Sequence, residues 1–429
     1  MKKKIKKEND INIKKIYQSM ETPQEFLTNI TRFLDNSNDR HSFINVCKSH
    51  SVHSEIYYKS IRKDICSDNY NELTDDILNS LVHIECDLEN EEMVDFFNRL
   101  KKNKSVTHLH LNITLDGELV KKMIEMLEEN KTITNLNLSQ CDMGVDNIKL
   151  LSDHIKINNT ITHLNLEENG IGEDGIKYVT DALNQNTTLL KIILNNNEIG
   201  DNGIKIIGEF LKINKSLKTI YLENNKIKKG IIDIMESLKE NKTLTKLKFG
   251  WNEIFDEENE ELLFSYNESI KECLMVNKTL KHLNLEYSCL KGKNLQYISN
   301  GLSVNIALQR LNICGNPVVD GIEYLAKALE QNSSITNINL LMTDINDEAV
   351  KYLANSLKGN KTVTNINLSI NNITNKGYDT LLKLLDENKT IKKIILYKNN
   401  DIQVETDNIN NKIQFDAKDQ IDKELFRGE

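Results

Sequence analysis

Proline and tryptophan are nearly absent from this sequence, which has two prolines and one tryptophan in 429 residues. Long apolar runs are also absent, since no segment approaches the about 18 apolar residues that a membrane-spanning helix needs. The basic start MKKKIKK is not followed by the apolar core of a secretory signal. Together with a hydrophobic content of 39%, these absences predict a folded protein of the cytoplasm or nucleus, without a membrane span.

Motifs for catalysis or metal binding are missing as well. The seven cysteines are odd in number and scattered, with no CxxC spacing, so we expect reduced thiols. His108, His110 and His163 have no cysteine or acidic residue directly beside them in the sequence, whereas a metal site needs three or four converging ligands. No phosphate-binding glycine loop and no nucleophile elbow occurs. We expect no catalytic residue, no metal and no cofactor, and therefore a protein that is not an enzyme.

The charge balance is mildly acidic, at −9 from 55 basic and 64 acidic residues. Nucleic-acid-binding domains are typically basic, because contacts with phosphate dominate their affinity. We therefore expect no nucleic-acid partner. The lysines of the leader, residues 1–21, are interpreted as part of a flexible solvated segment.

A repeated pattern of asparagine, leucine and isoleucine dominates the rest of the chain. An asparagine precedes each Leu-x-Leu segment, as in NTITHLNLEENGIGEDGIKYVTDALNQ, at spacings of 27 or 28 residues with a single exception of 36. A period of this length is typical of leucine-rich repeats, in which each repeat forms one strand and one helix. The leading asparagines are Asn103, Asn130, Asn158, Asn186, Asn214, Asn241, Asn277, Asn305, Asn332, Asn360 and Asn388.

The residues of one repeat support this interpretation. Leu164 and Leu166 alternate with polar residues, which predicts one apolar face of a short strand. Ile176, Val179 and Leu183 follow at the spacing of one apolar stripe on an amphipathic helix. A single repeat is too small to bury these faces, so neighbouring repeats must stack.

A second asparagine recurs where each strand ends, at Asn169 in the same repeat. We expect its side chain to be buried and to satisfy backbone groups of neighbouring repeats. Gly170 and Gly172 then permit a tight turn. The same slot holds Asn197, Asn225, Asn252, Asn316, Asn371 and Asn399, with Cys141, Ser288 and Thr343 as substitutes.

The pattern LxxLxLxxNxIgdxGaxxLxxaLxxN resembles the ribonuclease-inhibitor-type leucine-rich repeat, from Ser105 to about Asn400. The resemblance implies an α/β solenoid shaped as a horseshoe, with parallel strands on the concave face and helices outside. It also implies a use in gripping other proteins. The expected domains are the leader 1–21, a small helical segment 22–66, a degenerate first repeat or cap 67–104, the repeats 105–402 and a charged tail 403–429.

Residues that flank the strand leucines should face the concave side, and in the outer repeats most of these positions are asparagine or serine. Three consecutive central repeats instead bring aromatic residues, and aromatic residues and arginine are favoured at interface hot spots. We predict a protein-binding site there, while the alternative is that Trp251 packs against its own coil. The predicted site residues are Tyr221, Glu223, Lys248, Trp251, Glu286, Tyr287 and Arg310.

The single irregular spacing adds eight residues within FDEENEELLFSYNESIKECLMV. Such an insertion often marks a functional loop or a longer helix. Glu257, Glu258, Glu260 and Glu261 could meet a basic partner. The preferred interpretation is a solvated helix start, because acidic side chains interact favourably with the positive end of the helix dipole.

The segment TPQEFLTNITRFLDNSNDRHSFINVCKSH, residues 22–50, has an apolar pattern of its own, with Pro23 in the expected first turn of a helix. It resembles the F-box, which reads LPxExLxxIxxYLD followed by VCKxW, although Thr22 and His50 depart from that pattern. The resemblance implies docking to the Skp adaptor of a cullin-RING ubiquitin ligase, while the alternative is a helical cap of the solenoid. The implied docking residues are Pro23, Leu27, Ile30, Leu34 and Val46.

The favoured function is therefore a substrate-recognition subunit of a ubiquitin ligase that holds its target on the concave face and catalyses nothing itself. The alternatives are a scaffold without ligase partners, an effector directed at a host, and a GTPase-activating regulator. The last rests on a resemblance to Ran GTPase-activating protein, a horseshoe with an exposed arginine and an acidic tail. Here Arg310 is the only arginine of the main repeats, and the tail DAKDQIDKELFRGE has mixed charge.

Overall fold

A computed structural model describes residues 62–71, 73–255, 259–400 and 413–415. The chain divides into an N-terminal unit, which reaches residue 110 and includes 129–133, and a C-terminal unit of 111–128 and 134 onward. Within the described residues, no helix is long and apolar enough to cross a membrane. The following predicted positions lie outside the described residues: Pro23, Leu27, Ile30, Leu34, Val46, Glu257 and Glu258.

The N-terminal unit contains strands β1 (Arg62–Cys66) and β2 (His83–Asp87), which pair in parallel. Helices α1 (Ser67–Tyr70) and α2 (Asp75–Leu78) lie between these strands in the chain, and α3 (Asn90–Lys101) follows them. Strand β2 and α3 form a strand–helix pair in the region where the degenerate first repeat was expected. Strand β1 occupies the end of segment 22–66, where the sequence predicted helix, and its Ile65 is buried.

In its described residues up to the strand that ends at Ile395, the C-terminal unit repeats one strand and one helix. Strand β3 (His108–Leu111) and helix α4 (Gly117–Glu129) stand at the division between the two units. The strands that follow are β4 (Asn135–Asn137), β5 (His163–Asn165), β6 (Lys191–Ile193), β7 (Thr219–Tyr221), β8 (Lys246–Lys248), β9 (His282–Asn284), β10 (Arg310–Asn312), β11 (Asn337–Asn339), β12 (Asn365–Asn367), β13 (Lys393–Ile395) and β14 (Ile413–Gln414).

The helices alternate with these strands and are 10 to 17 residues long. They are α5 (Gly144–Ile157), α6 (Gly172–Leu183), α7 (Gly200–Ile213), α8 (Ile231–Glu240), α9 (Glu260–Val276), α10 (Gly292–Val304), α11 (Ile322–Gln331), α12 (Asp347–Leu357) and α13 (Asn375–Glu387). A short 3₁₀ turn, Val319–Gly321, precedes α11.

From β4 to β14 each strand pairs in parallel with the next, and the apolar middle residues stay in register, as Leu164 pairs with Ile192. These residues and the helix stripe, such as Ile176, Val179 and Leu183, are buried. Each fully buried aliphatic side chain stabilises the fold by about 1.5–3 kcal/mol. The predicted leucine-rich repeat solenoid is confirmed. Strand β14 lies in the region expected to be only a charged tail, because Ile413 is apolar and continues the register beside Ile394.

The asparagine at each strand end forms the predicted ladder. The side chain of Asn197 donates to the carbonyl of Leu166 at 2.8 Å and accepts from the backbone N–H of Asn169 at 3.0 Å. Asn225 repeats both bonds one repeat further along, to Leu194 and Asn197. Since a buried backbone group without a partner is costly, these asparagines lock consecutive repeats together.

The leading asparagines have a separate role that the sequence did not reveal. Asn186 accepts from the backbone N–H groups of Thr188 and Leu189, at 2.9 and 2.8 Å. It also donates to the carbonyls of Ile155 and Asn158, in the preceding repeat, at 2.7 and 2.8 Å. Each leading asparagine therefore ties the end of one helix to the next strand.

The irregular spacing produces the longest helix of the described residues, α9, with 17 residues. Its N-cap Asn259 accepts from the backbone N–H groups of Glu261 and Leu262 at 3.0 Å. Glu260 and Glu261 occupy the first turn, as the interpretation of a helix start predicted.

Candidate protein-binding face

Each strand of the C-terminal unit presents three positions on the face opposite the core, because side chains alternate along a strand. We call these positions, counted across the strands, the first, second and third rows of the open face. The first row includes His163, Lys191, Thr219, Lys246, His282 and Arg310. The second row includes Asn137, Asn165, Ile193, Tyr221, Lys248, Asn284, Asn312, Asn339 and Asn367. The third row includes Ser139, Glu167, Asn195, Glu223, Gly250, Glu286 and Cys314.

Asparagines of the second row have a structural task. Asn165 accepts from the backbone N–H of Glu167 at 3.0 Å, and Asn284 accepts from that of Glu286 at 2.8 Å. Asn137, Asn312, Asn339 and Asn367 make the same bond in their own strands. Three consecutive strands, β6 to β8, depart from this pattern with Ile193, Tyr221 and Lys248. Positions that break a local structural rule without a structural gain are expected at functional sites.

A cluster of lysines surrounds the ring of Tyr221. The ammonium nitrogens of Lys191, Lys246 and Lys248 lie 4.8, 5.0 and 4.3 Å from the ring centroid. All three distances are within the range of a cation–π interaction. We call these four residues the cationic cluster. Because the lysines come from β6 and β8, they cover Tyr221 on both sides, and the ring itself is buried.

Electrostatic repulsion is built into this cluster. Burial, and after it the charges of Lys248, Lys191 and Arg310, lower the pKa of Lys246 to about 7. Burial and the same positive surroundings lower the pKa of His282, in the neighbouring strand, to about 4. Among the described residues, no carboxylate lies within 4.0 Å of the ammonium of Lys246 or Lys248. Basic side chains are therefore concentrated at this cluster, where Lys248 acts electrostatically on Glu223 and Glu167 without an ion pair.

The third row carries carboxylates that already have hydrogen-bond donors. Glu223 accepts from the amides of Asn195 and Asn284 at 3.1 and 3.0 Å, and Glu286 accepts from Asn312 at 2.7 Å. Burial raises the pKa of Glu223 to about 7, against the opposing effect of Lys248. Gly250 lies between these carboxylates, and a Cβ atom there would stand 2.6 Å from the backbone oxygen of Glu286.

The turn residue after each strand from β4 to β13 adopts a left-handed backbone. In the first repeats this residue is polar, as in Gln140 and Glu168, whose side chains bond each other at 2.6 Å. From β8 to β12 it is apolar or glycine: Trp251, Tyr287, Gly315, Met342 and Ile370. A left-handed backbone is unfavourable for bulky residues by about 1–2 kcal/mol, so large aromatic side chains here are unexpected on stability grounds.

These turn residues form a continuous exposed strip. The rings of Trp251 and Tyr287 stack with centroids 4.1 Å apart, and the Tyr287 hydroxyl donates to the sulfur of Met342 at 3.4 Å. The Tyr287 ring lies over Gly315, where a Cβ would stand 2.4 Å from it. Trp251 is 52% exposed and Met342 48%. We call Trp251, Tyr287, Met342 and Ile370 the aromatic ridge.

The structure brings the predicted site residues together on β7 to β10 and the adjoining turns. Trp251 packs on the next repeat rather than on its own coil, and it lies in a turn beside the open face rather than on a strand. Tyr221 is covered by lysines, and Glu286 is buried under Asn312. Arg310 stands half-buried in the first row, near Lys246. Their use in binding stays a prediction.

Sequence reasoning missed Lys246 and Met342. Lys246 is the first residue of KLK in β8, and its importance depends on Lys191 from β6 and Tyr221 from β7. Alignment of the repeats by their strand leucines would have placed Lys191, Lys246 and Arg310 in one row. Met342 would have emerged from the same alignment of the turn positions.

Comparisons with known proteins agree with this architecture. A family model described as "Leucine Rich repeat" matches residues 158–179 and 185–208. The fold is a leucine-rich repeat solenoid. A chain of the crystal structure of the Rad7 and Elc1 complex in yeast superposes on this solenoid with a TM-score of 0.52, at 14% identity, over 94% of this chain and 100% of the other.

A second solved structure, the actin-binding site 2 of leiomodin-1, is similar to part of the leucine-rich repeat chain. It has a TM-score of 0.29 and 24% identity, over 35% of this chain and 85% of the other. No match was found among curated proteins. At these identities the solved structures support the fold alone.

Proposed function

We propose that this leucine-rich repeat chain is a non-catalytic binding subunit that grips a target protein on the open face of β6 to β10. We further propose, on the F-box-like pattern of residues 22–50, that it docks to the Skp adaptor of a cullin-RING ubiquitin ligase in the cytoplasm. The ribonuclease-inhibitor-type pattern of the repeats supports a gripping role.

One observation carries the target-binding part of the proposal. In β6 to β8, the second row has other residues in place of the asparagine that bonds the backbone elsewhere. The turns nearby hold Trp251 and Tyr287 in a left-handed backbone conformation. Both features are unfavourable or neutral for folding, and together they place the exposed ring of Trp251 near half-buried and buried lysines of the open face. Tryptophan and tyrosine are the residue types that contribute most at interface centres, and charged neighbours select the partner.

The adaptor part of the proposal has independent support of a coarser kind. The similar solved chain comes from a complex of two proteins, Rad7 and Elc1. A leucine-rich repeat chain of this length can therefore take part in a two-protein assembly, and we transfer that possibility to the segment 22–50. The docking residues would be Pro23, Leu27, Ile30, Leu34 and Val46.

The target-binding part is tested by selecting peptides on the full-length chain from a random 12-residue phage library. Wild type and a Trp251→Asn variant are compared, since asparagine tolerates the left-handed backbone of this position. Tyr324→Ala on α11, which removes an exposed aromatic residue from a helix, is the matched control. We expect enriched peptides with wild type and the control and at least tenfold weaker binding to Trp251→Asn. Equal binding by all three proteins would contradict the proposed face.

The adaptor part is tested separately with a purified Skp adaptor. We expect the full-length chain to retain the adaptor in a pull-down and a Leu27→Asp, Leu34→Asp variant to lose it. Trp251→Asn should retain the adaptor, because the two surfaces are distinct in the sequence. If wild type does not bind, the ligase assignment fails and the scaffold interpretation replaces it.

A further inference from the structure

We propose that the cationic cluster binds an aspartate or glutamate side chain of the target, from a peptide segment whose neighbouring apolar side chain packs on the aromatic ridge. This inference rests on the proposed function, because it specifies the target that the open face accepts. The occupant is thus an acidic peptide segment with an apolar anchor.

The geometry of the cluster favours an anion. Three ammonium groups converge within 4.3–5.0 Å of the centroid of one buried ring, and Arg310 adds a fourth positive charge in the first row. Like charges held this close repel one another, and a bound carboxylate would replace that repulsion with attraction. Cation–π interactions with the ring of Tyr221 hold the three lysines in position.

The carboxylates of the chain itself act on this cluster electrostatically, as Glu223 does on Lys246 and Lys248, but their hydrogen bonds go to amides. Glu223 lies in the third row, where its two oxygens are held by the amides of Asn195 and Asn284. Glu286 is held by Asn312. The acidic groups are therefore satisfied by amides, while Lys246 and Lys248 make no ion pair among the described residues. On the open face, the lysines therefore form a basic patch, and the acidic side chains of the third row accept hydrogen bonds from amides.

The cluster and the ridge are close enough for one short segment to touch both. Lys248 and Trp251 are three residues apart in the chain, which limits the separation of their Cα atoms to about 11 Å because consecutive Cα atoms are about 3.8 Å apart. An extended peptide spans this distance in three to four residues. The spacing between the acidic and the apolar side chain of the target should therefore be two to four positions.

A single carboxylate suits this site better than a phosphate group. Glu223 and Glu286 lie one row away, and a phosphoryl group carries a charge of about −1.5 to −2 against which these acids would act. The phosphates of a nucleic acid would be repelled by the same acidic row and by the net charge of −9 on the chain. Phosphopeptides and oligonucleotides are therefore alternative outcomes of the test.

The test uses the random 12-residue peptide library on three full-length proteins. These are wild type, Lys246→Gln/Lys248→Gln, and the matched control Lys121→Gln/Lys293→Gln, which neutralises two exposed helix lysines. We expect peptides selected by wild type and by the control to share an acidic residue two to four positions from an aromatic or aliphatic one. The Lys246/Lys248 variant should select peptides without the acidic residue.

A synthetic fluorescent copy of the most enriched peptide then gives the affinity. We expect it to bind the Lys246/Lys248 variant about 10- to 100-fold more weakly than wild type, and the control equally well. Thermal unfolding of the variant should match or exceed that of wild type, because like charges have been removed. If thermal unfolding shows that the Lys246→Gln/Lys248→Gln variant is not folded, Lys246→Arg is used instead. This exchange keeps the positive charge and should preserve peptide binding.

The outcomes separate this inference from the proposed function. Enriched peptides that lack acidic residues, or that bind the glutamine variant equally, overturn the inference and leave target binding intact. The absence of any enriched peptide counts against both. A phosphoserine copy of the peptide, or a labelled single-stranded oligonucleotide, that binds at least tenfold tighter than the acidic peptide would overturn the assignment to a carboxylate.

Discussion

The repeats around β4 and β5 and those around β7 and β8 share one backbone and differ almost entirely on the open face. In β4 and β5 the second row holds Asn137 and Asn165, each accepting a backbone N–H bond, and the turn residues are polar. In β7 and β8 the same row holds Tyr221 and Lys248, and Trp251 occupies the turn. The core and the asparagine ladder are common to both, so the fold does not require the central residues. The difference separates what the fold needs from what was added to it.

The largest effect is expected where the two regions are alike. Asn169 and Asn225 make equivalent ladder bonds, one beside β5 and one beside β7: each donates to a leucine carbonyl and accepts a backbone N–H of the preceding repeat. Replacing either by alanine leaves buried backbone groups without partners, and we expect each to lose about 2–4 kcal/mol of unfolding free energy. Urea denaturation measures this loss. A loss below about 1 kcal/mol at one site only would show that the regions do not share the ladder.

A smaller effect of opposite sign is expected where the two regions differ. Lys248→Asn should restore the second-row bond in β8 and remove one like charge, which stabilises the fold by about 0.5–1.5 kcal/mol. The reciprocal change Asn165→Lys in β5 should destabilise it by a similar amount. Peptide affinity should fall at least tenfold with the first exchange and stay unchanged with the second. If both exchanges changed the free energy of unfolding in the same direction, the proposed difference between the two regions would be wrong.

The smallest effect expected is a pH dependence confined to the central repeats. The pKa of Lys246 is about 7, and a bound carboxylate favours its protonated form, so peptide affinity should fall as the pH rises above 7. Glu223, with a pKa also near 7, ionises over the same range and acts in the same direction. The groups facing Lys246 are Lys191, Tyr221, Glu223, Lys248, His282 and Arg310.

Affinity measured by fluorescence anisotropy should decrease by at most about tenfold in total between pH 7 and 9. The Lys246→Gln variant should show a flatter profile in which Glu223 alone contributes, and adding Glu223→Gln should remove the remaining slope. A profile that is identical in wild type and in Lys246→Gln would contradict the role of Lys246.

The fold could be predicted from the sequence because each repeat can be recognised from patterns within its own 27 or 28 residues. Alternation of Leu164 and Leu166 defines a strand, the stripe of Ile176 and Val179 defines a helix, and the 27- or 28-residue period joins them. The ladder role of Asn197 followed from the same register. The role of the leading asparagines was not predicted, because it depends on where the carbonyls of the preceding helix end.

The site was predicted only in part, for a physical reason. Trp251 and Tyr287 stand out by composition, but their stacking depends on two left-handed turns that composition does not specify. Lys246 gains its importance from residues 25 and 55 positions earlier in the chain, Tyr221 and Lys191. The meaning of Lys248 becomes clear only when the neighbouring asparagines are seen to have a structural task. The contacts that form the site join residues of different strands, so a reading of one repeat at a time does not reveal them.

Trp251 is the only tryptophan of the chain and stands at the ridge, so its intrinsic fluorescence reports the proposed site directly. The decisive measurement is a titration of the full-length protein with the selected acidic peptide lacking tryptophan. We predict a saturable blue shift of the Trp251 emission in wild type, because the half-exposed ring becomes covered, and at least tenfold weaker saturation in Lys246→Gln/Lys248→Gln. A peptide that binds by anisotropy without changing the Trp251 emission would contradict binding at the open face of the central repeats.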